Sequence, residues 1–372
     1  MMRIGVIYLG RRGSGGPISY EIASRLAQRV DVFAMLSAQS DSLETWRQSR
    51  LSILTVPTYT NLPQAFLSWI QPSRFRLLAE QVRSQRPDVL FFPMFYTWNP
   101  FLQRNLGDIP SLVAVHDPVP HPGLRSLAFK WLEDASLRQA ARCLIFSQSL
   151  AGALQQRGVP AERIILIPHG ELSYYTRLQP AIPRTSTSTT LLFFGRITAY
   201  KGLDGLLQAY RRLIPRPGLR LLLVGEGDLR PYRSQMDGLP GIDIVNRWVA
   251  DEEVGKYFGQ ANVVVLPYTS ASQSGVIALA AAYGLPVVST RVGGIPEQVE
   301  DGVSGLLVDP DQPEQLENAI KRLLDEPDLG DRLGRNLKRR FAEDFSWDRL
   351  ADRVYQACQD VTTHSRGLSS SI

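Results

Sequence analysis

Short apolar runs alternate with amphipathic helical patterns along almost the whole chain. In the first half the β-type runs are Ile4–Leu9, Val32–Leu36, Leu51–Val56, Val89–Pro93, Leu112–Val115, Cys143–Phe146 and Ile164–Ile167. In the second half they are Leu191–Phe194, Arg220–Val224, Ile242–Val245, Val263–Leu266, Pro286–Ser289 and Gly305–Val308. Helical spacing follows several of them, as in Ile18, Ile22 and Leu26 after the first, or Leu203, Leu206, Leu207 and Tyr210 after the eighth. Runs that are apolar throughout suit strands buried on both faces. Their alternation with helices predicts parallel sheets covered by helices.

Between the halves, residues 179–190 are polar, carry prolines and have no periodicity, which reads as an interdomain linker. The pattern therefore predicts two Rossmann-like domains, at 1–180 and 191–345, joined by a linker at 181–190. A chain of 372 residues exceeds one ordinary core and fits that division. A last helical pattern covers 346–361, and a serine-rich tail at 362–372 is expected to fray.

Composition narrows the class. With 44% apolar and 21% charged residues the chain is that of a globular protein. Cys143 and Cys358 stand far apart in no metal-ligand spacing, which suits a reducing compartment. Met1–Leu9 reads as a first strand rather than a signal peptide, because Gly10-Arg11-Arg12-Gly13 breaks it at once. No apolar run approaches the roughly eighteen residues of a membrane span; the longest, Val276–Val288, contains Gly284 and Pro286. The expected location is cytoplasmic, with peripheral attachment at the inner face of the cell membrane left open.

The net charge of +5 allows an anionic partner without naming it. Arg74 and Arg76 lie beside Phe66, Leu67, Trp69, Ile70, Phe75, Leu77 and Leu78. That interleaving fits an anionic membrane surface or an ordinary helix with a solvated face. Pro63 and Pro72 interrupt the stripe and favour the ordinary helix. Nucleic acid is not an expected partner, since there is no basic recognition helix, zinc-ligand spacing or RNP-like aromatic pattern.

Candidate chemistry falls in loops that follow strands. The most informative is Gly195-Arg196-Ile197-Thr198-Ala199-Tyr200-Lys201-Gly202. A glycine turn and two cations at a helix N-terminus suit a diphosphate: arginine forks two phosphate oxygens and lysine adds a mobile point charge. Solvated cations at a strand end are the plainer alternative. Gly13-Ser14-Gly15-Gly16 opens the first helical pattern and lets the backbone approach a ligand, yet Ile18 stands where a dinucleotide fingerprint wants glycine or alanine. Asp31 has the offset of a ribose-binding acid, and a turn explains it equally well. In Val115-His116-Asp117-Pro118-Val119-Pro120-His121, His116 is placed to bond a sugar or move a proton with Asp117 orienting it, while His121 reads as structural. In Ser272-Gln273-Ser274-Gly275-Val276, free N–H groups of residues 273–276 would cradle an anion or sugar hydroxyls, although an N-cap serine explains half of this.

These pieces occur together and in order, and the chain resembles a family 4 glycosyltransferase of the GT-B fold over nearly its whole length. The elements that carry the likeness are Phe194-Gly195-Arg196 with Lys201-Gly202, Val224-Gly225-Glu226-Gly227, Pro286-Val287-Val288-Ser289-Thr290 with Gly293-Gly294-Ile295-Pro296-Glu297, Gly302–Val308, and Phe345-Ser346-Trp347. The resemblance implies an α/β architecture of two Rossmann-like domains whose parallel sheets face across a cleft, with a final helix that crosses back to the first domain. It implies that Arg196 and Lys201 grip the donor diphosphate, that Gly15 and Gly16 close over it, and that His116 lies near the donor sugar. It assigns Asn246–Val249 to the nucleobase, with Trp248 and Val249 as contacts and Arg247 where glycine is common. Glu226 lines the donor site or is a turn residue. Gln273, Ser274, Gly275 and Val276 complete the donor-binding set.

One departure matters. The family usually carries an E-x7-E pair at the positions held here by Ala271 and Leu279, and residues 254–296 contain no Asp or Glu in any register. The lost carboxylates are worth about 1.5 to 3 kcal/mol of hydrogen bonding each if nothing replaces them. Gln273 is the nearest polar substitute.

The implied activity is retaining transfer of a sugar from a UDP- or GDP-sugar to a glycan or polyprenol-linked acceptor, in polysaccharide or glycolipid synthesis. No cofactor and no metal are expected. Asp309-Pro310-Asp311 spells a D-x-D but reads as a helix cap, with Asp311 as N-cap and Glu314 completing a capping box. The alternative from another class is a catalytically impaired glycan- or nucleotide-binding protein.

Overall fold

The computed structural model describes residues 1–13, 15–116, 127–167, 170–172, 175–176, 188–214 and 216–369. The chain divides into two units, Met1–Pro168 with Trp347–Ile372, and His169–Ser346.

The first unit holds β1 (Arg3–Tyr8), β2 (Asp31–Ser37), β3 (Ser52–Val56), β4 (Val89–Phe92), β5 (Ser111–Val115), β6 (Arg142–Ile145) and β7 (Ile164–Leu166) in the order β3-β2-β1-β4-β5-β6-β7. Every pairing is parallel, and β1 sits between β2 and β4 with Ile4 opposite both Val32 and Val89. The second unit holds β8 (Thr189–Phe194), β9 (Leu219–Val224), β10 (Ile242–Val245), β11 (Val263–Leu266), β12 (Val287–Thr290) and β13 (Leu306–Val308) in the order β10-β9-β8-β11-β12-β13. Here Leu191 of β8 lies opposite Leu221 and Val263. Each sheet reverses direction of growth once, between β1 and β4 and between β8 and β11. Ligands of doubly wound sheets bind at such switch points, outside the carboxyl ends of the strands.

All thirteen apolar runs form strands within a residue or two of their expected limits. The strand β4 is buried at every position, as a run apolar on both faces requires. Helix Leu203–Leu213 buries Leu203, Leu206, Leu207, Tyr210 and Leu213 against the second sheet. Full burial of each such side chain stabilises by about 1.5–3 kcal/mol. Thr189 and Thr190, expected in the linker, are the start of β8, and residues 181–187 of that linker lie outside the described residues.

Pro63 and Pro72 do not break a helix. They stand in the first turns of helices Leu62–Trp69 and Pro72–Ser84, where a missing N–H costs nothing. Helix Trp347–Ser369 belongs to the first unit, packs against helix Gly15–Leu26 and buries Leu350, Val354, Ala357, Cys358 and Val361. Arg25 meets Asp348 at 3.3 Å, and Arg29 pairs with Asp352. The helix continues through the segment expected to fray as far as Ser369. The expected cap at Asp311 is absent: helix Pro313–Asp325 starts after Gln312, with no side-chain cap bond. Asp311 instead takes a left-handed φ of 56°, Gln315 Oε1 accepts from Asp309 N–H at 3.0 Å, and Glu314 turns to Arg212 at 2.9 Å.

Candidate active site

The second unit gathers its candidate residues at the carboxyl edge around the β8/β11 switch point. Leaving β8, Gly195 donates its N–H to Val224 and takes φ 118°, and Ile197 N–H bonds Glu226 carbonyl at 2.9 Å. A short 3-10 turn, Ala199–Lys201, then ends at Gly202. Gly202 has φ 69°, and a Cβ there would fall 1.7 Å from the Pro267 carbonyl oxygen, so only glycine lets this loop meet the one leaving β11. Thr269 N–H bonds Tyr200 carbonyl at 2.9 Å and seals the contact.

That contact places Lys201 Nζ 3.8 Å from the centroid of the buried Tyr268 ring. The π face attracts the ammonium without neutralising it. Arg196 is exposed on the same loop. Neither cation forms an ion pair with a described residue, whereas Arg212, Arg216, Arg220, Arg230, Arg247 and Arg291 of this unit each meet a carboxylate. The arrangement keeps two positive charges available at a point where helix Leu203–Leu213 also presents its N-terminus.

The loop from Pro267 to Ser274 differs in part from expectation. Ser274 is the N-cap residue of helix Gly275–Ala282 but makes no side-chain cap bond; its hydroxyl lies 3.3 Å from Tyr268 Oη. Its N–H is not free, because Gln298 Oε1 accepts it at 2.8 Å. The open cradle expected over residues 273–276 therefore loses that member, and Gly275 and Val276 remain in the first helical turn. Gln273 Oε1 is buried with no hydrogen-bond partner among the described residues. Leu279 is buried in the core, and the carbonyl of Ala271 lies against Gly293.

Glu226 is exposed in the turn after β9. After β10, Asn246 grips Gly227, its Oδ1 accepting from the N–H and its Nδ2 donating to the carbonyl, both at 3.0 Å. Arg247 forks Glu253 at 2.5 and 2.8 Å. Hydrogen bonds from that guanidinium hold the Glu253 carboxyl down to about 2. The two clamps hold the segment at both ends, Trp248 stands 57% exposed, and Val249 is half-buried.

In the first unit, Gly15 and Gly16 open helix Gly15–Leu26 beyond β1. A Cβ on Gly15 would come within 3.0 Å of Met94, which follows β4, so this loop too lies at a switch point. Next to Met94, Pro93 carbonyl is 3.2 Å from His116 Nε2, and the His116 ring stacks on Phe146 at 4.1 Å. The glycine loop and the half-buried His116 thus share the β4 turn. Asp117, His121 and Ser14 lie outside the described residues.

A cavity of about 220 Å³ opens between Gly202, Thr269, Thr290, Asp309 and Asp311. It is smaller than the ~300 Å³ and upward of small-molecule sites. Among the described residues no three His, Cys, Asp or Glu are grouped to hold a metal ion. Sequence reasoning missed Tyr268, Gln298 and Met94, because ring contacts and amide clamps between distant segments leave no local signature.

Comparison with known proteins agrees with this fold. Residues 188–326 match the sequence model of glycosyl transferases group 1, and residues 15–170 that of the glycosyl transferase 4-like domain. A D-inositol 3-phosphate glycosyltransferase of Segniliparus rotundus is 31% identical over 247 residues, covering 62% of this chain and 53% of that protein. The chain spans about half the length of that relative. Among solved structures, a glycosyltransferase from Rickettsia africae superposes with TM-score 0.75 at 15% identity over 97% of this chain and 98% of that one. Anabaena HepE in complex with UDP gives TM-score 0.74 at 17% identity over 96% and 100% of the two chains. With two parallel α/β sheets in the GT-B fold and both domain models matched, the chain belongs to the group 1, family 4-like glycosyltransferases.

Proposed function

We propose that this chain is a retaining glycosyltransferase that moves a sugar from a UDP- or GDP-sugar to a glycan or lipid-linked acceptor in the synthesis of surface polysaccharide or glycolipid. The observation that carries this reading is the pair of cations without carboxylate partners, Arg196 and Lys201, held where β8 and β11 diverge. Breaking the bond between the anomeric carbon and the diphosphate leaves negative charge on the departing phosphate and an oxocarbenium-like sugar. Arg196, Lys201 and helix N-terminal amides neutralise the leaving group as it forms. The acceptor hydroxyl attacks the anomeric carbon on the face the diphosphate leaves, and its proton passes to a phosphate oxygen. No carboxylate nucleophile and no metal are part of this reading. The unpartnered acceptor Gln273 Oε1 takes a sugar hydroxyl in place of one missing glutamate. Trp248 and Val249 flank the base. Gly15, Gly16 and His116 contact the sugar nucleotide.

The binding of UDP by HepE supports a nucleotide of this kind. The test is nucleotide release from a panel of UDP-, GDP- and ADP-sugars followed by mass spectrometry, with lipid-linked and free glycan acceptors supplied. Release from one donor, abolished in Arg196→Ala and Lys201→Ala, is the expected result. A second reading, an impaired nucleotide-binding protein, draws on the absence of Asp and Glu from 254–296. Donor binding without release in every acceptor condition would establish that reading instead.

A further inference from the structure

Helix Leu62–Trp69 is turned inside out. Its buried positions are the small residues Ala65 and Ser68, while Phe66, Leu67 and the following Ile70 are 49, 57 and 75% exposed. Its rotation is fixed from within: Ser68 Oγ accepts the Trp98 indole N–H at 2.8 Å, and Trp98 is itself fully buried. Phe66 and Ile70 lie four residues apart and Leu67 and Ile70 three apart, so the three share one outward face. Trp69 supports that face from below, edge-on to Phe66 at 4.6 Å and to Phe129 of helix Leu127–Gln139 at 6.1 Å. Leu77, on the next helix, is 61% exposed. Part of the apolar stripe thus lies at the surface, while Phe75 and Leu78 of the next helix are buried as in an ordinary amphipathic helix.

The charges nearest this face in sequence are mainly positive, with Glu80 one turn beyond Arg76. Residues 45–79 contain no Asp or Glu, and Arg74 and Arg76 open helix Pro72–Ser84. Neither arginine forms an ion pair with a described residue. A second copy of the chain is a poor occupant, since a two-fold interface would set cations against cations. Large apolar side chains flanked by arginines fit an anionic bilayer, in which the hydrocarbon enters the headgroup boundary and the guanidiniums meet phosphates.

We propose that the face formed by Phe66, Leu67, Ile70 and Leu77, flanked by Arg74 and Arg76, docks the first unit on an anionic lipid surface. It does so whether or not the donor site turns over sugar nucleotides. The test is sedimentation of the intact chain with vesicles of phosphatidylcholine alone or mixed with phosphatidylglycerol. The expected result is binding to the mixed vesicles only, weakened by salt. Leu67→Ser/Ile70→Ser and Arg74→Gln/Arg76→Gln should each lower the partition coefficient about tenfold or more. The melting temperature of the first variant should be unchanged because both side chains sit at the surface. That of the second is measured beside it, because half-buried Arg74 also lies 5.4 Å from the centroid of the Trp98 ring. Equal binding to both vesicle types, no binding to either, or retention in both double variants would overturn the proposal. So would a concentration-dependent dimer abolished by Ile70→Ser, which would assign the face to a second copy.

Discussion

Gln298 closes on the main chain of Ser274 with both ends of its amide, Oε1 accepting from the N–H at 2.8 Å and Nε2 donating to the carbonyl at 3.2 Å. Both residues are buried, so water cannot replace either bond. Replacing Gln298 by leucine strands two main-chain groups, each costing about 1–3 kcal/mol. We expect Gln298→Leu to lose about 2–4 kcal/mol in urea unfolding followed by tryptophan fluorescence. A loss below about 0.5 kcal/mol would mean that the loop is held elsewhere.

Gly202→Ala should act on the donor loop itself. With φ at 69° and a carbonyl 1.7 Å from the new Cβ, the loop must move away from Pro267 and carry Lys201 off the Tyr268 ring. Nucleoside diphosphate affinity by calorimetry is expected to fall about tenfold or more, the scale of one lost charge-assisted hydrogen bond. Unchanged affinity would detach Lys201 from diphosphate binding.

The Tyr268 ring and its hydroxyl can be separated. Tyr268→Phe keeps the π face under Lys201 and loses only the 3.3 Å approach to Ser274 Oγ, so nucleotide affinity should stay within about twofold. Tyr268→Leu removes the face and should weaken binding about threefold to thirtyfold. Equal effects would assign the role to the hydroxyl.

The thiols report on the cores of both the sheet and the final helix. Burial pushes Cys143 up to about 11 and raises Cys358 further. A thiol with a raised folded-state value keeps its proton after the unfolded chain has lost it. The stability tied to that proton is complete below about 8.5, the unfolded value, and is lost as pH rises through the folded one. A thiol-reactive dye at pH 8 should therefore label neither cysteine in the native protein and both after denaturation. Fast native labelling of Cys358 would show that helix Trp347–Ser369 opens.

That helix should be costly to loosen. Leu350 is fully buried, and truncating it to alanine should cost about 2–5 kcal/mol. Hydrogen exchange should then speed up in helix Gly15–Leu26 and β4, against which the final helix packs.

The strands were legible in the sequence because buried parallel strands are apolar without interruption, as in Leu90-Phe91-Phe92 or Leu221-Leu222-Leu223, whereas the strand order that makes the switch points was not. The glycine turns at Gly195 and Gly202 were legible for a related reason: a left-handed φ beside a close backbone leaves few other choices. The cap at Asp311 was misread because a local motif competed with a side-chain bond from Gln315 that closes the turn differently. The orientation of helix Leu62–Trp69 could not be read from its own residues. Its apolar side looks like a core stripe, and only the Trp98–Ser68 bond, thirty positions apart, shows that the small residues face inward.

The place of helix Trp347–Ser369 in the first unit has a consequence for synthesis. Ribosomes deliver residues 1–168 first and then the whole of His169–Ser346 before this helix emerges. Until then, helix Gly15–Leu26 has no packing partner along the face it later shares with Leu350 and Val354. The nascent first unit must wait, incomplete, while the second is made, and a chain released at Ser346 would present that apolar face to chaperones and proteases.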